Sequence, residues 1–288
     1  MPRHCFVVIF RCLITFMGLT ASLWTASVSV AQSRINPPLS HVQLSYADRD
    51  AEGNYWAGLS IQLAPRVKTY WRTAGESGLP PRFDWSASHN LADLTLLWPV
   101  PLRFTEGGAQ AIGYDHTLVL PLHLKATDPD KPINLDLTID YAVCETLCIP
   151  QHDRLKMTFE PHKAIDPAAR LALQQALLLA PKKLTLGEQE APAIERVIRE
   201  GEMLRIDVRL DRDEGLEDLF VEGPEGWVFS APLTQSEVKN HRQSLLVSVL
   251  ERPQRDDVLA NLTLCLTAKT KNMASETVLT LDKQGRAP

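Results

Sequence analysis

The sequence predicts an all-β chain, two antiparallel β-sandwiches joined by a helical connector. Three observations carry that expectation. Short runs of alternating apolar and polar residues fill both halves; in INLDLTIDY, Ile133, Leu135, Leu137 and Ile139 alternate with Asn134, Asp136, Thr138 and Asp140. A period of two marks a strand with one buried face. Proline and glycine cluster between the runs, at TAGESGLPP (73–81) and EGGAQAIG (106–113). A convincing helical segment occurs once, between the two halves.

Residues 1–31 read as an export signal. Arg3 and Arg11 precede an uncharged run from Cys12 to Ala31, which closes on Ser29-Val30-Ala31. Small residues at those positions suit a signal peptidase, so cleavage is expected after Ala31, leaving a soluble exported chain without stable membrane insertion. Residues 32–163 form the first predicted domain. HVQLSYA, YWAGLSIQL, ADLTLLW, HTLVLPLHL, INLDLTIDYAV and RLKMTF are its clearest strands, and short strands in this density point to an immunoglobulin-like sandwich.

The connector is placed at 164–183. Asp166 is a helix N-cap, Pro167 suits the first helical position, and AARLALQQALLLA runs on to Pro181. Residues 184–288 resume the strand pattern in IERVI, MLRIDVRL, DLFVE, WVFSA, SLLVSVL, ANLTLCLTA and TVLTL, a second sandwich with a frayed GRAP tail.

The formal charge of −5 becomes about −7 once Arg3 and Arg11 leave with the signal. Such a balance argues against nucleic acid and acidic lipid, which require basic patches. Glycine-rich phosphate loops, G-x-S-x-G and H-E-x-x-H are all missing. No organic cofactor and no resident metal are expected.

Of five cysteines, Cys5 and Cys12 belong to the signal, leaving Cys144, Cys148 and Cys265 in a compartment where disulfides persist. YAVCETLCIP holds the close pair, with three readings open. As a staple, so small a ring contributes only about 2 kcal/mol, and a core containing Trp56, Trp71, Trp85 and Trp98 has little need of it. A staple would leave the chain a non-catalytic binding module. As a metal clip, the pair could join His152 and Met157 around a soft ion such as Cu(I). Against this, Met157 alternates with Leu155 and Phe159 as a core residue, and His152 reads as a solvent-facing turn residue. As a redox pair, the cysteines flank a tight turn between antiparallel strands, within disulfide reach and open to a partner's thiol.

KTYWRTAGESGLPPRFDWSASHN (68–90), LLWPVPLRF (96–104), IGYDHTLVLPL (112–122) and DYAVCETLCIP (140–150) resemble the periplasmic N-terminal domain of the DsbD family. The likeness is to its ScsB-like branch, associated with copper tolerance, and DLFVEGPEGWVFSAP (218–232) resembles that branch's second sandwich. The resemblance implies thiol–disulfide interchange through Cys144 and Cys148, with Cys148 forming mixed disulfides. It implies electrons received from a thioredoxin-like domain and passed to thioredoxin-like or disulfide-isomerase partners. It also implies a cap loop, here Phe104–Tyr114, with Phe104 or Tyr114 as the covering aromatic. Better-known members space the cysteines more widely and continue into a membrane conduit and a thioredoxin-like domain. The sequence ends at Pro288, so the expected reductant is a separate membrane electron-conduit protein.

Two further residues carry expectations. Glu145 should disfavour a thiolate at Cys144. Cys265, opposite the core face of Leu262, Leu264 and Leu266, reads as a half-buried, inert thiol outside the site.

Overall fold

Alternation becomes pleated strand along most of the computed structural model, which describes residues 38–161, 164–212, 214–253 and 261–287. The predicted export signal lies outside the described residues. The first sandwich runs through β1 (Ser40–Arg49), β2 (Tyr55–Leu63), β3 (Lys68–Gly75), β4 (Arg82–Asp84), β5 (Leu91–Leu96), β6 (Leu102–Glu106), β7 (Ala109–Tyr114), β8 (Leu118–Ala126), β9 (Ile133–Cys144) and β10 (Cys148–Phe159). One sheet has the order β1-β2-β8-β5; the other has β10-β9-β3-β7-β6, with β4 also paired to β9. Leu59, Leu120, Leu137, Ile139 and Phe159, all 0 % exposed, belong to the core between them.

Helix α1 (Pro167–Leu179) begins where the N-cap signal placed it, the Asp166 side chain accepting from the Ala168 backbone N–H at 2.9 Å. Ala169 and Leu173 bury against Ala47 beside Trp56, and Arg170 donates to Asp48 at 2.9 Å, so the helix packs on the first sandwich.

The second sandwich contains β11 (Lys182–Lys183), β12 (Ala193–Glu200), β13 (Met203–Arg209), β14 (Asp218–Glu222), β15 (Val228–Phe229), β16 (Leu233–Thr234), β17 (Arg242–Glu251), β18 (Thr263–Lys269), β19 (Ala274–Thr280) and β20 (Arg286–Ala287). Its sheets are β11-β19-β18-β14 and β15-β17-β13-β12-β20, with β16 on β17. Leu204, Ile206, Val208, Leu264 and Leu266 fill its core, the alternation read in MLRIDVRL and ANLTLCLTA. The fold is thus all-β, two immunoglobulin-like sandwiches linked by a helix. Both belong to one compact unit.

Two local expectations are corrected. The segment 106–113, read as a turn, is mostly the hairpin β6–β7, with Gly107 and Gly108 alone at its tip. Gly113 is a strand glycine: a Cβ there would lie 2.0 Å from the Thr69 carbonyl oxygen of β3. Its role is close backbone approach, which a sequence reader takes for a turn signal. The GRAP tail is also not frayed through Ala287. Arg286 and Ala287 pair with Ile198 and Val197, and Ala287 is 3 % exposed. Asp282 turns the chain back by accepting from the Gln284 and Arg286 N–H groups.

Candidate functional site

The long hairpin β9–β10 sets the two cysteines opposite one another. Cys144 ends β9, Cys148 begins β10, and the register pairs them directly, with Glu145, Thr146 and Leu147 as the exposed turn. Along β9 the alternation of burial stops at Tyr141–Cys144, where all four residues are buried. The face bearing Ala142 and Cys144 is covered there by a small cluster of Tyr70, Ala74 and Ala111, with Phe104 and Cys148 packed against it. β10 is the edge strand of its sheet, so Cys148 is half-buried while Cys144 is 2 % exposed. Leu147, in the turn, is 73 % exposed.

The sulfurs lie 3.0 Å apart. A disulfide needs about 2.05 Å, so closure takes an approach of about 1 Å. The Tyr70 hydroxyl stands 3.0 Å from Cys148 Sγ and donates to Glu106 Oε2 at 2.5 Å. Phe104 stacks on Tyr70 with centroids 6.5 Å apart, and the Lys68 ammonium lies 4.5 Å above the Phe104 ring. Burial, then the Glu106 carboxylate and Cys148, push the Cys144 thiol up to about 12. Burial, then hydrogen bonding to Cys148 and Glu106, raise the Tyr70 phenol far above its usual range. Both groups hold their protons at neutral pH.

The structure sorts the residues singled out from sequence. Cys144, Cys148 and Phe104 come together. Tyr114 does not: it is 1 % exposed in the core between the sheets, its hydroxyl donating to the Pro99 carbonyl at 2.7 Å, so it covers no cysteine. Glu145 is not the carboxylate that disfavours the thiolate. It pairs with the exposed Arg66 at 2.6 Å, and Glu106 takes that part. His152 and Met157 lie outside the cysteine cluster. His152 sits opposite Asp140 with its Nδ1 2.7 Å from that carboxylate, and Met157 packs on the main core opposite Leu135.

Sequence reasoning missed Tyr70, Lys68 and Glu106. Lys68 and Tyr70 stand at the start of KTYWRTAGESG, whose spacing does not show which side chain meets a sulfur.

Two groups among the described residues could hold a metal ion: Glu106 with Cys144 and Cys148, and Glu222 with Cys265 and Glu276. In the second, the Arg72 guanidinium occupies the centre, 2.7 Å from Glu222 and 2.5 Å from Glu276. Cys265 Sγ is 3.8 Å from the same guanidinium, and burial, then the two carboxylates, push its thiol up to about 12.

Residues 32–160 match the family model for the N-terminal region of the thiol:disulfide interchange protein DsbD. The match makes the first sandwich similar to the DsbD N-terminal domain and supports a general role in thiol–disulfide interchange. The chain is also similar to the crystal structure of the N-terminal periplasmic domain of ScsB from Proteus mirabilis, with a TM-score of 0.67 and 23% identity over 84% of this chain and 94% of that one. That overlap spans both sandwiches and supports the fold. The reduced DsbD N-terminal domain of Neisseria meningitidis matches at a TM-score of 0.29 and 15% identity, covering 44% of this chain and 96% of that one. No curated protein matches the chain.

Proposed function

We propose that the chain is a periplasmic thiol–disulfide carrier that exchanges electrons with thioredoxin-like partners through Cys144 and Cys148. The observation that carries this reading is the opposed pair at the hairpin mouth, sulfurs 3.0 Å apart, one buried and one on an edge strand. That asymmetry divides the work. Cys148, the more exposed sulfur, meets the partner, and Cys144 resolves the intermediate.

In the reducing direction, the Cys148 thiolate attacks one sulfur of a partner disulfide. The partner's S–S bond breaks, a bond from Cys148 to the partner forms, and the leaving partner sulfur takes up a proton. Cys144 then loses its proton and attacks Cys148 Sγ. The Cys144–Cys148 bond forms as the partner's second thiolate leaves, and two electrons have passed to the partner. The reverse sequence reloads the pair from a reduced donor, a thioredoxin-like dithiol fed by a membrane conduit protein. Because Cys144 is held as a thiol, its step waits on deprotonation, which favours release only in a docked complex.

Mixed-disulfide capture from a periplasmic extract tests this. Cys144→Ser protein should accumulate a reductant-sensitive adduct through Cys148. If neither Cys144→Ser nor Cys148→Ser captures a thioredoxin-like protein, and the wild-type pair has a potential far below about −300 mV, the disulfide is structural. The chain would then be a binding module.

A further inference from the structure

The strands that carry the cover meet the second sandwich chiefly at β14, with Glu276 of β19 also accepting from Arg72. Tyr70 comes from β3 and Phe104 from β6, strands separated in their sheet by β7. Beside each aromatic, an arginine leaves the first sandwich and grips β14 of the second. Arg103, next to Phe104, donates to Asp218 through Nε (3.0 Å) and Nη2 (3.1 Å), and to the Leu219 carbonyl at 3.2 Å. Arg72, two residues beyond Tyr70, donates to Glu222 through Nε (2.9 Å) and Nη2 (2.7 Å), while the Thr73 hydroxyl donates to Glu222 at 2.6 Å.

Between these grips Phe220 enters the first core. It is 1 % exposed, its ring 5.6 Å from Trp71, with the Arg103 guanidinium 5.0 Å away. The paired groups are shielded: Arg103 and Asp218 are 13% and 15% exposed, and Glu222 is 10% exposed. Bidentate guanidinium–carboxylate contacts so placed fix direction as well as distance, and salt screens them weakly. The far end of the hairpin differs. A Cβ added to Gly107 or Gly108 would meet nothing within 4 Å. The base of the β6–β7 hairpin is therefore held by β14, while its tip is open to solvent.

We propose that β14 sets how closely Tyr70 and Phe104 cover the cysteines, so that the second sandwich is the frame against which the cover opens. Arg72, Arg103, Asp218 and Glu222 are then positioning residues acting through the two aromatics. The proposal rests on the carrier reading for its purpose. Its test does not, because alkylation reports thiol access whether or not the pair exchanges with a partner.

The experiment measures the rate at which iodoacetamide modifies Cys148 in the reduced full chain, with folding checked by circular dichroism. Asp218→Asn and Glu222→Gln should each raise the rate several-fold and the double variant by about tenfold, as the cover's local opening becomes less costly. Asp218→Glu, which keeps the carboxylate, should restore most of the protection. Asp136→Asn breaks a pairing with Arg154 and Lys156 on the hairpin's remote stretch and should leave the rate unchanged.

Folded single or double variants with the wild-type rate would overturn the proposal, as would an equal rise in Asp136→Asn. Amide exchange in the wild-type protein gives a reading that needs no variant. Residues 102–106 should exchange with 218–222 as one class, and exchange of 102–106 orders of magnitude faster would also sink the idea.

Discussion

Among the described residues, two sulfur–carboxylate clusters of similar makeup sit in different surroundings. One gathers Glu106, Cys144 and Cys148; the other gathers Glu222, Cys265 and Glu276. In both, burial is the first cause of a thiol pushed up to about 12, with carboxylates adding to it. What differs is the fourth group. At the hairpin it is the phenol of Tyr70, neutral and hydrogen-bonded to Cys148. Between the sandwiches it is Arg72, whose charge the two glutamates absorb. A perturbed thiol is therefore no redox centre by itself. A second sulfur within reach and an edge strand equip the first cluster for the proposed exchange, and a half-buried cation held by two carboxylates makes the second a lock.

The largest test of that contrast is loss of exchange. Cys144→Ser or Cys148→Ser should abolish two-electron turnover with a dithiol reductant, while Cys265→Ser should leave it intact; turnover lost in Cys265→Ser would undo the division. Next comes stability. Arg72→Ala leaves Glu222 and Glu276 facing each other without a cation and should cost about 2–4 kcal/mol in urea unfolding. Glu106→Gln should cost far less, because no buried cation loses its partner.

The pH dependence follows from the raised thiols. Folded Cys144 and Cys265 titrate at about 12, against about 8.5 in an unfolded chain. Folding therefore favours the protonated form. That stability is complete below about pH 8.5 and declines as pH rises toward 12. The urea midpoint of the reduced protein should fall between about pH 8.5 and 10, before ordinary tyrosines titrate. Oxidised protein, whose Cys144 no longer titrates, should fall less, and a parallel fall in both forms would contradict the assignment.

A smaller effect separates the two candidate carboxylates. Glu106→Gln should shift thiolate formation at Cys144, followed by absorbance near 240 nm, to lower pH. Glu145→Gln should leave it in place and alter stability by no more than about 0.5 kcal/mol, since its pair with Arg66 is exposed.

Much of the architecture was legible because burial on one face imprints a period on the chain. INLDLTIDYAV became β9 almost residue for residue, YWAGLSIQL became β2 and DLFVE became β14. Asp166-Pro167 announced the helix because an N-cap is a local hydrogen bond. β3 and β7 were less visible. Their glycines serve a close approach to a neighbouring strand and a bulge, and sequence cannot separate those uses from turns.

The sequence by itself determined the two sandwiches, the helix between them and the nearness of two cysteines, all properties of contacts a few residues apart or of one strand's alternation. Only the tertiary structure decided which side chains surround the sulfurs. Tyr70 lies 78 residues from Cys148 and Arg72 lies 150 from Glu222, so their meetings depend on sheet order and on how the sandwiches pack. It also decided that Phe104 faces the cysteines while Tyr114 faces the core. The reason is physical: a pleat alternates side chains between faces, and strand pairing, not spacing, chooses which face the cysteines share.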